Sequence, residues 1–272
     1  MKKLLNFVIY SLIYLFILIF SPVIVAIVLT IFLFRNQISV YFLRLIMYLI
    51  IFLIFRVGNK IEIIGRKNIP KGPGILFLSN HQTLIDSFLI ALGTLTPWDA
   101  FFHQEKLAYN LPEIKNFYYN GFLKVFFRAL KTVPVSRTGT SRRKIEWQVS
   151  LFGRLLRTDN LVIFFEGTRT RNGLVNECRI GPALTIIKER PRYVVPILLE
   201  GIQPIMPISH GSKINLRINM GRKGRMIIGE PLDLDEFYKE SYSWESAVEQ
   251  SVKLRQLIKE SVENLKNYDK KS

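Results

Sequence analysis

Residues 4–34 carry no charged side chain, and this run constrains the chain more than any other feature of it. Lys3 precedes the run and Arg35 ends it. At ~1.5 Å per residue, a continuous helix over its 31 residues would run ~46 Å, well beyond the ~30 Å hydrocarbon core of a bilayer. Pro22 falls in the middle and predicts a kink or a break. A second apolar stretch, residues 38–55, is interrupted only by Arg44, with Asn36 and Gln37 as the expected link between two helices. A secretory signal peptide would also start on Lys2-Lys3 and an apolar run. This run is too long for a signal core, and no small-x-small cleavage site follows it cleanly. The reading is a two-helix membrane anchor over residues 1–57, followed by a second domain over residues 58–272.

Charge supports that division. The chain has 38 basic and 21 acidic residues, a net +17, yet residues 1–60 hold six basic residues and no acid. Positive charge at Lys2 and Lys3, and again at Arg56, Lys60, Arg66 and Lys67, favours both ends of the anchor on the cytoplasmic side. A hairpin crossing twice and a kinked pair lying in one leaflet both fit, since Arg35 and Arg44 are awkward residues in hydrocarbon. Nearly half the residues are hydrophobic, which excludes global disorder. The single cysteine, Cys178, excludes an internal disulfide and any site needing two cysteine ligands. His81, His103 and His210 show no ligand spacing, so no metal is expected.

Beyond Arg56 the pattern becomes that of an α/β domain. Residues 74–79, 132–135, 161–165 and 193–199 are short apolar runs that read as buried strands. Residues 84–92, 142–157 and 182–190 read as the helices between them, and such alternation predicts a mixed, largely parallel sheet covered by helices. A late hairpin is expected from residues 213–220 and 225–228 around Gly221-Arg222-Lys223-Gly224. Residues 243–265 place Val248, Val252, Leu257, Ile258, Val262 and Leu265 at helical spacing, a C-terminal amphipathic helix.

Polar clusters follow two of the strands, where open α/β sheets place their sites. The first is Ser79-Asn80-His81-Gln82-Thr83-Leu84-Ile85-Asp86. On a regular helix, residues five apart stand ~140° apart. His81 and Asp86 can therefore meet only if His81 lies in the turn before the helix and Asp86 in its first turns. Asp86 would then fix the imidazole tautomer and stabilise the imidazolium, leaving the other nitrogen to take a proton. Histidine, with an ordinary pKa of ~6.5, is the residue type suited to that work near neutrality. Taken alone, the pair is explained as well by Asn80 and Asp86 capping a helix, with His81 a satisfied turn residue.

The second cluster is Glu166-Gly167-Thr168-Arg169-Thr170-Arg171-Asn172-Gly173. Glycines for tight turns, a hydroxyl and guanidinium forks suit a phosphate dianion held by backbone N–H groups and a bidentate arginine. Glu166 could orient an arginine or a substrate hydroxyl. A solvated surface loop has the same composition, but a second polar loop after a second buried strand makes that explanation weaker. Between the clusters, residues 114–145 hold eight basic residues and no acid: Lys115, Lys124, Arg128, Lys131, Arg137, Arg142, Arg143 and Lys144. Arg137 directly follows a strand-like run. The others read as a surface facing anionic headgroups, at ~1 kcal/mol per residue near the surface.

These motifs resemble those of the glycerolipid acyltransferases. NHQTLID resembles the family's N-H-x4-D motif, and FFEGTRT its F-P-E-G-T-R-S motif. TVPVSR matches the short motif ending in arginine, and Val195-Pro196-Ile197 the V-P-[IV] block. Order and spacing agree across residues 61–231, closing with Gly229-Glu230-Pro231. The chain is similar to bacterial-type 1-acyl-sn-glycerol-3-phosphate acyltransferases. The resemblance implies that His81 deprotonates an acceptor hydroxyl for direct attack on an acyl thioester, with Asp86 orienting it and Asn80 supporting the site. It implies that Arg137, Glu166, Gly167, Thr168 and Arg169 hold the acceptor's phosphate and glycerol. Lys106 falls where the family often has a lysine near the acceptor. Val195, Pro196 and Ile197 would shape the acyl pocket or its supporting strand. Acceptor and donor would be lysophosphatidic acid and acyl-CoA or an acyl carrier protein, with no cofactor. The expected place is a bacterial-type inner membrane, catalytic domain on the cytoplasmic side. Three departures stand out: Phe165 where proline is usual, Thr170 where serine is usual, and no lysine-rich approach at Arg179-Ile180-Gly181.

Chemistry narrows the alternatives. A thioester is already activated, so a histidine base with charge stabilisation suffices without a covalent nucleophile. There is no G-x-S-x-G, no G-x4-G-K-[ST] and no G-x-G-x-x-G, which disfavours a serine hydrolase, a nucleotide hydrolase and a dinucleotide enzyme. A silent membrane scaffold would not need the His–Asp pair. Nucleic-acid binding would explain the basic charge, but so does anionic lipid, and no nucleic-acid partner is expected. Within the enzyme class the rival is transfer to another lysophospholipid or acyl acceptor.

Overall fold

In the computed structural model the described residues are 2–34, 36–114, 118, 121–136, 141–170, 172–207, 217–239 and 241–270. Helix α1 (Lys2–Phe34) is continuous, Pro22 included. A proline inside a helix leaves the carbonyl four residues back without its donor. Here that carbonyl belongs to Leu18, and the Ser21 hydroxyl donates to it at 2.8 Å, so the expected break does not occur. Helix α2 (Gln37–Phe52) opens on Asn36, whose side chain accepts from the Ile38 N–H, and runs into a π-type turn, Leu53–Gly58.

Both helices are long and apolar enough to cross a membrane, over Leu5–Phe34 and Gln37–Gly58, and two such helices point to membrane association. They are not detached from the rest. Tyr48, Ile50, Ile51, Ile54 and Phe55 share one buried cluster with Ile61, Ile75, Phe77, Val195 and Ile228. Polar ties add to it: the Tyr14 hydroxyl donates to the Ile218 carbonyl at 2.7 Å, and Arg44 Nε to the Ala129 carbonyl at 2.6 Å. The latter gives one of the two awkward arginines a backbone partner.

The sheet comprises β1 (Lys60–Ile64), β2 (Ile75–Ser79), β3 (Leu161–Phe164), β4 (Tyr193–Glu200) and β5 (Lys223–Ile228), in the order β1-β5-β4-β2-β3. Only β4–β5 is antiparallel; β1–β5, β2–β4 and β2–β3 are parallel, the mixed, largely parallel sheet that strand–helix alternation predicts. Among the described residues the other α-helices are α3 (Asp86–Thr94), α4 (Pro97–Phe102), α5 (Gly121–Ala129), α6 (Arg142–Leu156), α7 (Ile180–Glu189) and α8 (Trp244–Asn264). Strand β2 shows how the layers form. All five of its residues are buried, with Leu76 and Leu78 in the cluster that α6, α7 and α8 cover, and Ile75 and Phe77 in the one completed by α2 and α3. Alternation along the strand thus supplies two cores, each fully buried side chain contributing roughly 1.5–3 kcal/mol.

Several local expectations are corrected. Residues 132–135 form no continuous strand; they are held by single parallel bridges, Asn110 to Thr132 and Glu113 to Val135. Pro134 has no N–H; Val133 and Val135 donate across to the Asn110 and Pro112 carbonyls, while the Thr132 N–H turns back to the Phe127 carbonyl. Strand β5 is not one arm of a hairpin with residues 217–220, because both its edges are taken, by β1 and β4; residues 213–216 lie outside the described residues. Helix α3 starts at Asp86 rather than Leu84. In α8 the buried face is Ala247, Ser251, Leu254, Ile258 and Val262, while Val252 points outward.

Candidate active site

Strand β2 ends at Ser79 and the chain turns sharply before α3. The turn wraps around the carboxylate of Asp86. His81 Nδ1 lies 2.9 Å from Asp86 Oδ2, the Thr83 N–H donates to the same oxygen at 2.8 Å and the Gln82 N–H joins them. The Thr83 hydroxyl donates to Oδ1. Asp86 is fully buried in the first turn of α3, where the helix dipole also favours negative charge. Because the carboxylate accepts from Nδ1–H, the imidazole is held in the tautomer whose Nε2 lone pair is free. The ring lies flat on Phe164, with centroids 4.0 Å apart and planes 12° apart. His81 is 8% exposed, so its ring has little freedom to turn away.

Asn80 sits behind this pair. Its amide brackets one residue of β4, accepting from the Leu199 N–H at 2.7 Å and donating to the Leu199 carbonyl at 2.9 Å. Asn80 therefore continues the sheet as a backbone would and fixes where His81 begins. Gln82 does the same on the other side. It donates to the Leu199 carbonyl at 2.9 Å and accepts from the Ile202 and Gln203 N–H groups.

The second loop follows β3. The Phe165 N–H donates to the Ser79 carbonyl at 3.2 Å, and the Phe165 carbonyl accepts from Arg179 at 2.8 Å. Its side chain is fully buried among Leu76, Val175 and Cys178, so the phenylalanine uses a donor and a volume that proline would not supply. Gly167 turns with φ +69°, and a Cβ there would meet Arg179 Cγ at 3.1 Å. The Thr170 N–H donates to the His81 carbonyl at 2.8 Å, which ties the two loops together. Glu166 is buried beside His81. Burial pushes its carboxyl above the usual range, opposed by hydrogen bonds from Asn176 and the His81 backbone, with the Asp86 charge pushing it further up. Its Oε2 accepts from Asn176 Nδ2 at 2.8 Å; its Oε1 has no partner among the described residues. Thr168 is exposed and Arg169 partly so.

His81, Asp86, Asn80 and the Glu166–Arg169 loop thus converge at one end of the sheet. Lys106 does not join them through its ammonium, which pairs with Asp99 Oδ1 at 2.5 Å. Burial alone would raise the Asp99 carboxyl, but hydrogen bonds from Lys106 and Thr96 outweigh it and bring the pKa down to about 2. Arg137 lies outside the described residues. Ser136 just before it is anchored by Lys144 and Gln148 of α6; the run leading to it is bridged to Asn110 and Glu113, in the segment that Tyr109 joins to Leu161 of β3. Gln82, Thr83, Phe164, Asn176 and Arg179 were not singled out from the sequence as site residues. Only Thr83 carried a local signal, an ST-type turn residue three positions before an acid. Among the described residues no three His, Cys, Asp or Glu side chains group as metal ligands would.

No curated protein sequence matches the chain. Among solved structures, the chain is similar to the crystal structure of PlsC, the 1-acyl-sn-glycerophosphate (LPA) acyltransferase from Thermotoga maritima. That likeness has a TM-score of 0.55 at 18% identity and covers 96% of this chain and 98% of the other, so the two share a fold over nearly their whole length. The Acyltransferase family model matches residues 60–200, a span that runs from β1 through both polar loops to the end of β4. With more than half its length matched, the chain belongs to the acyltransferase family.

Proposed function

We propose that the protein transfers a fatty acyl group from an acyl thioester to the sn-2 hydroxyl of lysophosphatidic acid, giving phosphatidic acid. The observation that carries the reading is the His81–Asp86 pair, buried, oriented by four donors to one carboxylate and stacked on Phe164. His81 Nε2 takes the acceptor's hydroxyl proton as the oxygen attacks the thioester carbonyl carbon. The C–S bond then breaks, and the imidazolium returns the proton to the departing thiolate, so an ester and a free thiol leave. The buried Asp86 charge stabilises the imidazolium between these steps.

The acceptor's phosphate would lie against the Gly167-Thr168-Arg169 turn and Arg137, with its glycerol oxygens near the unpartnered Oε1 of Glu166. The anchor would place these groups at the bilayer surface, where a lysolipid resides, on the cytoplasmic side of an inner membrane. CoA phosphates and an acidic carrier protein are both suited to the chain's basic surface. The test is a panel of lysolipids offered, with acyl-CoA or acyl carrier protein as donor, to membranes carrying the wild-type chain. Phosphatidic acid as the dominant product is the expected result. Transfer to a different lysolipid, with lysophosphatidic acid untouched, would overturn the acceptor assignment while leaving the chemistry in place.

A further inference from the structure

Helix α4 turns three aromatic side chains away from the protein. Trp98 is 65% exposed, Phe102 60% and Phe101 40%, and the Trp98 and Phe102 rings lie 4.3 Å apart. A six-residue helix is marginal by itself, yet this one is fixed at both ends. Thr96 and Asp99 form a reciprocal capping box with Pro97 in the first turn. At the other end Gln104 Nε2 donates to the Ala100 carbonyl at 2.9 Å. Apolar side chains held outward on so rigid a support form a docking face.

Its neighbours indicate what covers it. The Tyr41 hydroxyl of α2 donates to the Phe101 carbonyl at 2.6 Å, and Gln104 Nε2 also reaches the Tyr41 carbonyl at 3.2 Å. Phe42, next in α2, is 48% exposed and shares an outward apolar stripe with Ile38, Leu49 and Phe52. The α4 patch is therefore continuous with the bare apolar side of the anchor. A basic group borders it, Lys106, whose ammonium pairs with Asp99 of α4, and others border the anchor. Helix α5 packs Phe122, Val125 and Phe126 against Val28 and Leu43 of the anchor and leaves Lys124 and Arg128 exposed. Aromatic rings beside cations, at the edge of an apolar surface, match the boundary between acyl chains and anionic headgroups.

We propose that α4 is a third membrane contact, seating Trp98, Phe101 and Phe102 in the interfacial layer of an anionic bilayer beside the α1–α2 anchor. The proposal rests on the anchor being in the membrane. Its consequence is positional. Helix α3 begins at Asp86 and ends at Thr94, with only Leu95 and Thr96 between it and Pro97, so a seated α4 fixes the tilt of the sheet end that carries His81. The anchor supplies attachment, and α4 supplies orientation.

The experiment uses the full chain in vesicles of phosphatidylcholine and phosphatidylglycerol, with one tryptophan per variant. The first variant keeps Trp98 (Trp147→Phe, Trp244→Phe), the second keeps Trp147 (Trp98→Phe, Trp244→Phe), and the third carries Phe34→Trp with all three native tryptophans changed to Phe. Each is quenched by lipids brominated along the acyl chain and by aqueous iodide. Trp98 should show blue-shifted emission, quenching by shallow brominated lipid and loss of iodide quenching. Trp147, on α6 across the sheet, should stay open to iodide. If Trp98 stays open to iodide while the Phe34→Trp variant is quenched by brominated lipid, the anchor is embedded but α4 is not, and the lipid assignment falls in favour of a protein partner. If neither is quenched by lipid, the membrane reading of the anchor fails and the proposal fails with it.

Discussion

The two loops at the sheet end are built to opposite standards. In the His81 loop the polar groups are taken: Asp86 accepts from four donors, and Asn80 and Gln82 bind the backbone of β4 and the residues after it. In the Glu166 loop some are left open. Thr168 is exposed, and a buried carboxylate oxygen of Glu166 has no partner among the described residues. Proton transfer depends on geometry held before the substrate arrives, whereas acceptor binding needs hydrogen-bonding capacity left open for a ligand to fill. On the proposed function, one loop is finished without substrate, and the other would be finished by it.

The sharpest way to break this contrast is through the closed loop. Asp86→Asn keeps an acceptor for the Gln82 and Thr83 N–H groups but removes the charge facing the imidazolium. Turnover in membranes should fall by about 10²–10⁴-fold with acceptor KM little changed; a change confined to KM would mean that the pair binds substrate instead. The hinge between the loops comes next. Phe165→Pro removes the N–H to Ser79 and empties a packed volume. Thermal unfolding should show a loss of about 3–5 kcal/mol.

The open loop should respond more mildly and with a pH signature. The Glu166 carboxyl is raised by burial, so its neutral form is favoured in the folded chain. Its contribution is full below the ordinary glutamate pKa of about 4.3 and is lost as pH rises through the raised folded value. Glu166→Gln should therefore gain Tm relative to wild type as pH rises, with no gain at acid pH, while acceptor KM increases. A Tm difference independent of pH would contradict the desolvated carboxyl. The smallest effect is expected at Lys106, whose partly exposed ammonium pairs with Asp99. Lys106→Ala should cost under about 1 kcal/mol of stability and leave acceptor KM near wild type, which a titration against lysophosphatidic acid would check.

Much of the plan was legible from the sequence because β2, β3 and β4 are unbroken apolar runs, and the first two end in polar clusters that mark the site. The pairing of His81 with Asp86 followed from the turn that a strand-to-helix junction requires. Partners more than a hundred residues away were out of reach: nothing local says that Asn80 and Gln82 bind Leu199. Nor does the composition of the second loop say that Asn176, within the same segment, serves Glu166. The short run at residues 225–228 located β5 but not its neighbours, so a hairpin was expected where an interior strand lies. Pro22 misled because the compensating donor, the Ser21 hydroxyl, acts only in the helical conformation that proline was expected to interrupt. In α8, small Ala247 and Ser251 occupy the buried stripe, and a count of large apolar residues gave the helix a face that included Val252.

The most direct measurement of the account is steady-state acyl transfer by His81→Ala beside wild type, with kcat and acceptor KM resolved separately in the same membranes. On the proposed mechanism kcat collapses while KM stays within the wild-type range, because Nε2 would act on the hydroxyl proton in the transition state and the other loop would hold the acceptor. Full turnover in His81→Ala, or a loss confined to KM, would contradict it.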